Sequence, residues 1–88
     1  MAEGIRLKLL TASGALLDET ASHVRIPTDG GSVGILPGHA PMLCAVRAGR
    51  LKYRGAEGEE RFLTVSDGVA GIERGELTVL VREAKIEG

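Results

Sequence analysis

Aromatic side chains are almost missing from this 88-residue chain: Tyr53 and Phe62 are the only two, and there is no tryptophan. Any core must therefore be aliphatic, built from Leu, Ile, Val and Ala. Cys44 is the sole cysteine, so no internal disulfide forms, and the chain fits a reducing compartment. No apolar run approaches the ~18 residues of a membrane span. Met1 to Leu10 alternates charged and apolar residues, which is not the pattern of a signal peptide. Nor is either sign of charge in surplus: eleven basic residues face twelve acidic ones, for a net charge of −1. That argues against a sequence-blind nucleic-acid binder, which needs clustered Lys and Arg to displace counterions. It argues equally against a polybasic membrane anchor. The Gly-Lys-Ser/Thr ending of a phosphate loop occurs nowhere.

What is abundant is glycine, thirteen residues of 88, about twice the ~7% background. The glycines are scattered, so they punctuate the chain rather than link domains. Between them run short stretches rich in Val, Ile, Thr and Leu, an all-β signature. Ile5, Leu7 and Leu9 alternate with Arg6 and Lys8. Val24 and Ile26 alternate with His23 and Arg25, and Leu51 and Tyr53 alternate with Arg50, Lys52 and Arg54. Glu76 to Val81 is apolar on both faces at Leu80, which predicts a more deeply buried strand. Turn signals fall at Ser13-Gly14, Asp29-Gly30-Gly31, Gly55 to Gly58, Asp67-Gly68 and Arg74-Gly75. This spacing suits a sandwich or barrel of hairpins. No segment has a convincing helical period; Ala12 to Ala21 comes nearest, but Gly14 interrupts it. The length fits one domain, residues 1–88, with one core.

The least generic stretch is Gly31 to Leu43, GSVGILPGHAPML, with no Lys, Arg, Asp or Glu. Pro37 and Pro41 fix φ and remove donors, Gly34 and Gly38 permit crowded or left-handed backbone, and Leu36 and Ala40 before proline are pushed to extended geometry. The result is a rigid apolar loop or edge strand, better suited to a buried or interface role than to a solvated linker. Pro37, Gly38 and Pro41 set its path, while Ile35, Leu36, His39 and Met42 present side chains to a partner or the core.

Gly31 to Leu43 resembles the hallmark of the epsilon subunit family of F-type ATP synthases, Gly-x-x-Gly-Ile-x-Pro-Gly-His-Ala-Pro-x-Leu. Gly31, Val33, Gly34, Ile35, Pro37, Gly38, His39, Ala40, Pro41 and Leu43 carry the match. It extends on both sides, through LKLLTASG, LLDETASHVRIPTDGG, AVRAGRLKYRG and FLTVSDGVAGIERGELTVLV, to cover about residues 4 to 84. The resemblance implies a flattened all-β sandwich of two roughly five-stranded, mainly antiparallel sheets. It implies a non-catalytic central-stalk subunit of a rotary motor, on the cytoplasmic face of the cell membrane or its equivalent. On this resemblance the subunit is expected to bind the gamma subunit and the c-ring and to couple ion-driven rotation to ATP synthesis. Thr11, His39 and Cys44 are then gamma-facing. Asp29, Gly31, Ser32, Val33, Gly34 and Ile35 are c-ring-facing. The family often has glutamate where Ser32 stands; either Ser32 or Asp29 meets the ring. Full-length members continue into a C-terminal helical hairpin that holds the nucleotide site. The 88 residues lack it, so no cofactor and no ATP is expected to bind.

Other readings of the same residues remain. His39 and Cys44 also fit a packed turn histidine and an inert buried thiol. His23, His39 and Cys44 lack the paired spacing of a zinc site. Glu57 to Arg61 reads as a solvated hairpin tip. Arg47, Arg50, Lys52 and Arg54 form a basic stretch that suits either an acidic partner or a solvated strand face. A small ligand-binding or carrier sandwich is the alternative function. Lys8, Lys52 and Lys85 occupy strand-like or terminal positions unsuited to a modified hairpin tip, and a small enzyme would need an acid–base pair or nucleophile elbow that the chain lacks.

Overall fold

The alternation of Ile5, Leu7 and Leu9 with Arg6 and Lys8 becomes strand β1, Ile5–Thr11, with Ile5, Leu7 and Leu9 fully buried. The structure is a computed structural model and describes residues 4–87. Eight further strands follow: β2 Gly14–Thr28, β3 Gly31–Ile35, β4 Met42–Val46, β5 Gly49–Gly55, β6 Glu60–Val65, β7 Gly68–Glu73, β8 Glu76–Val81 and β9 Ala84–Ile86. There is no helix among the described residues. Each expected turn signal separates two strands. At Arg74-Gly75 both residues have positive φ, 54° and 77°, the two-residue hairpin geometry that glycine accepts freely.

All nine strands belong to one hydrogen-bonded sheet, ordered β4-β7-β8-β1-β2-β5-β6-β9 with β3 also on β2. The key element is β2, fifteen residues long. Straight, it would span roughly 45–50 Å at ~3.3 Å per residue, yet the longest dimension of the protein is 34 Å. It bends instead, with register irregularities between Leu9 and Leu10 of its β1 pairing and between Ala21 and His23 of its β5 pairing. Its first half pairs with β1, and its second half with β3 and β5. The expected two five-stranded layers are therefore present but share a strand: β4, β7, β8, β1 and the start of β2 form one, and β3, the end of β2, β5, β6 and β9 form the other. Every pairing is antiparallel except β1 with β8.

One cluster of buried side chains from both layers fills the space between them, including Leu7, Leu9, Ala70, Ile72 and Leu77 from the first and Val24, Ile26, Leu51 and Leu63 from the second. The core is aliphatic as composition requires, with Tyr53 its only aromatic. The Tyr53 hydroxyl donates to Glu19 Oε1 at 2.9 Å, which ties a β5 side chain to the half of β2 belonging to the other layer. β8 differs from expectation. Its inner residues are core, but Leu80 points outward and is 50% exposed, because nothing among the described residues covers that face.

Tyr53 gives the fold a signature in alkali. Burial first, then the Glu19 carboxylate, pushes its hydroxyl up from 10.0 to about 12. An acid held protonated in the folded state contributes stability that is complete below the unfolded pKa and lost as pH rises through the folded one. Stability should fall between pH 10 and about 12, by about 1–2 kcal/mol from this group, since water partly screens the part-buried hydroxyl. Denaturant melts of wild type and Tyr53→Phe across that range check this: the wild type should lose more than the variant.

Candidate functional site

β3 delivers its last residue, Ile35, into the core, and the uncharged connection to β4 begins there. Leu36, 56% exposed, opens a β-turn with Pro37 and Gly38 at its centre. The turn is closed by the His39 N–H donating to the Leu36 carbonyl at 3.1 Å. Gly38 has φ +83°, so proline followed by a left-handed residue makes a type II turn. A Cβ on Gly38 would meet nothing within 4 Å, so conformation alone demands glycine. The half-buried His39 donates from Nδ1 to the Ala40 carbonyl at 2.6 Å. That contact fixes the ring and leaves Nε2 without a hydrogen-bond partner among the described residues. Pro41 then leads into β4.

The other expected residues are placed as follows. Thr11 ends β1, where its hydroxyl donates to the Gly14 carbonyl and accepts from the Ser13 N–H, both at 3.1 Å. Cys44 is half-buried against the core, and burial pushes its thiol up, which keeps it neutral. Across the first layer Cys44 aligns through Ala70 and Val79 with Leu9. Thr11 lies two residues beyond Leu9, while His39 precedes Met42, which aligns through Ile72 and Leu77 with Leu7. The three residues thus border one layer at its two ends and middle rather than forming a cluster. Asp29 is 81% exposed in its side chain and pairs with Arg47 at 2.9 Å. Gly31 opens β3 opposite Thr28, and the Ser32 hydroxyl accepts from Arg25 at 2.9 Å. Ser32 and Gly34 face outward, whereas Val33 packs on the core. Ile35 needs correction: it is fully buried, because alternation along β3 turns it inward, so its side chain faces no partner. Met42, likewise, packs against the core.

The register shows a feature that the sequence reading missed. Ala45 pairs with Val69, Val69 with Leu80, and Leu80 with Leu10. These four form an apolar row across the outer face of the first layer, with Leu43, 78% exposed, one row away. The signal was Leu80, which breaks the polar alternation of β8. Beside the row, Pro41, Leu43, Glu76 and Thr78 help line an open groove of about 750 Å³. A groove open along its length suits a protein surface better than an enclosed small molecule. Among the described residues, no group of His, Cys, Asp or Glu is placed to hold a metal ion.

A rigid two-layer sandwich with an uncharged, proline-shaped connection beside an apolar face defines a small all-β scaffold domain. The chain belongs to the family described as ATP synthase, Delta/Epsilon chain, beta-sandwich domain, which it matches over residues 4–87. An ATP synthase epsilon chain of Desulforapulum autotrophicum is 36% identical over 85 residues, 97% of this chain and 63% of that protein. The chain thus spans less than two thirds of that relative's length. Two cryo-EM structures share the fold. A chain of the Euglena gracilis mitochondrial ATP synthase (OSCP/F1/c-ring) has TM-score 0.90 and 24% identity, covering 98% of this chain and 55% of that one. A chain of the Tetrahymena thermophila mitochondrial ATP synthase (central stalk/c-ring) has TM-score 0.78 and 16% identity, covering 91% and 64%.

Replacing Gly38 tests the loop. Gly38→Val should cost about 1–3 kcal/mol, since a β-branched residue resists positive φ even where space is free. In a domain of this size each kcal/mol lowers Tm by roughly 4–8 °C. Thermal melts should show that fall, and an unchanged Tm would mean that the turn reorganises freely.

Proposed function

We propose that the chain is the β-sandwich part of a non-catalytic central-stalk subunit of a rotary F-type ATP synthase. In this reading one side meets the gamma subunit and the β2–β3 turn meets the c-ring. The domain then helps carry ion-driven rotation of the ring to gamma. The observation that carries the proposal is the family match over residues 4–87 with the Gly31–Leu43 pattern held as an uncharged, sterically fixed connection. The work required is mechanical, and a close-packed aliphatic core compresses little. Two interfaces of different character support it. The gamma side joins the apolar row of Leu10, Ala45, Val69 and Leu80 to a rim of Thr11 and His39, with Cys44 turned inward on the strand that carries Ala45. The ring side is polar, formed by Asp29, Gly31, Ser32 and Gly34, with the Asp29 carboxylate paired to Arg47 and the Arg25 guanidinium on Ser32. The subunit is peripheral to the energy-transducing membrane on its cytoplasmic or equivalent face, and no helix among the described residues is long and apolar enough to cross it.

His39→Ala separates contact from packing. The variant should melt within a few degrees of wild type yet bind cognate gamma more weakly by about 1 kcal/mol or more, roughly fivefold. Melting curves with pull-downs against gamma and the c-ring read both quantities. Unfolding would make His39 a packing residue, and unchanged binding would remove the loop from the contact. Because no phosphate loop is present, calorimetry of the 88-residue chain should show no saturable binding of micromolar ATP.

A further inference from the structure

The outer face of the second layer gathers basic side chains that lie far apart in sequence. β2 contributes His23 and Arg25, and β5 contributes Arg50, Lys52 and Arg54, all pointing away from the core by alternation. Arg25 stands directly opposite Lys52, and His23 opposite Arg54. Like charges directly opposed across a strand pair are unfavourable. Carboxylates answer only part of this charge. Arg50 pairs with Glu87 at 3.0 Å and lies over the Phe62 ring, 4.1 Å from its centre. Arg54 pairs with Glu60 at 3.0 Å, and that one carboxylate also feels Lys52 and His23. Arg25 and Lys52 have no ion-pair partner among the described residues. Arg25 is nonetheless held in place. Its Nη1 donates to Ser32 Oγ at 2.9 Å, and its Nη2 lies 3.5 Å from where a Cβ on Gly34 would stand. A Cβ at that position would stand in ordinary contact with the guanidinium and the His23 ring, so the Arg25 head lies directly over Gly34.

We propose that this face, centred on Arg25 and Lys52, is a docking surface for an acidic polypeptide segment. The two cations sit on adjacent strands, about 4.8 Å apart in backbone spacing, so two neighbouring carboxylates answer both. A bilayer fits worse. Charge-driven attachment to anionic lipid takes clusters of four to eight Lys or Arg, whereas this face leaves two outside any ion pair among the described residues, on a chain of net charge −1. Of the exposed large apolar residues, Leu16, Leu43, Val69 and Leu80 lie on the other layer, and Leu36 and Ile86 lie at the borders of this one. The inference does not depend on gamma or the c-ring being the partners of the chain.

The test uses the 88-residue chain and a fluorescein-labelled octaglutamate peptide, read by anisotropy at low and moderate salt. Amide chemical shifts map the contact. Saturable binding that weakens with salt and moves the amides of His23, Arg25, Lys52 and Arg54 is expected. The double variant Arg25→Ser, Lys52→Gln should lose about tenfold or more in affinity, as expected for charge-assisted contacts. Arg74→Gln, Arg82→Gln, with the same change in net charge, should stay within about twofold of wild type. If the double variant loses its dispersed spectrum, Lys52→Gln replaces it, since Lys52 makes no side-chain hydrogen bond among the described residues. No peptide binding, an equal loss in the control pair, or binding to phosphatidylglycerol vesicles but not to the peptide would each overturn the proposal.

Discussion

Fifteen consecutive residues of β2 have to fit inside a body 34 Å long, and the bend this forces organises everything else. Because β2 turns a corner at Ala21–His23, one half serves one layer and the other half serves the other. Ala21 is fully buried at the corner, where a small side chain lets the strand pass close to its neighbours. β1 is carried on one half, and β3 and β5 on the other, so the layers are held in register by main-chain hydrogen bonds as well as by side-chain packing. Tyr53 adds a second tie where its hydroxyl meets Glu19. The five exposed ion pairs contribute far less, since water screens each of them.

The two outer faces that result are chemically unlike. On the first layer an apolar row crosses four strands; on the second a block of cations is only partly answered by Glu60 and Glu87. The Gly31–Leu43 stretch joins the layers: β3 lies on the second, β4 on the first, and the Pro37-Gly38 turn sets the passage between them. One short uncharged segment therefore borders both faces. That placement explains why its geometry is fixed by sterics, since charge would be out of place beside an apolar contact.

Much of this was legible in the chain itself. Strict alternation exposed the inner faces of β1, β5 and the end of β2. Asp29-Gly30-Gly31 and Arg74-Gly75 marked their hairpins, because their backbone demands are local. Gly38 was read as able to take left-handed backbone, and it does, whereas Gly34 does not. What escaped were properties that exist only across strands. Leu80 was read as a sign of deeper burial, yet it joins Val69, Ala45 and Leu10, which come from three other strands, in an uncovered row. Ile35 belongs to the hallmark pattern but turns inward, because the parity of β3 is set by its pairing with β2. Arg25 was an ordinary outward residue until register set it opposite Lys52.

The parallel pairing of β1 with β8 joins residues about seventy positions apart, Arg6 beside Glu76. Loop-closure entropy makes such a contact slow to form. β1 can join β2 through a local hairpin at once, but its other edge stays open until the β7–β8 hairpin arrives. During that interval the alternating, aliphatic β1 offers unpaired main-chain groups to any neighbouring chain. Closure of this one long-range seam therefore sets the period in which a nascent or refolding molecule is vulnerable to aggregation, and the late hairpin, rather than the hallmark loop, governs how quickly that period ends.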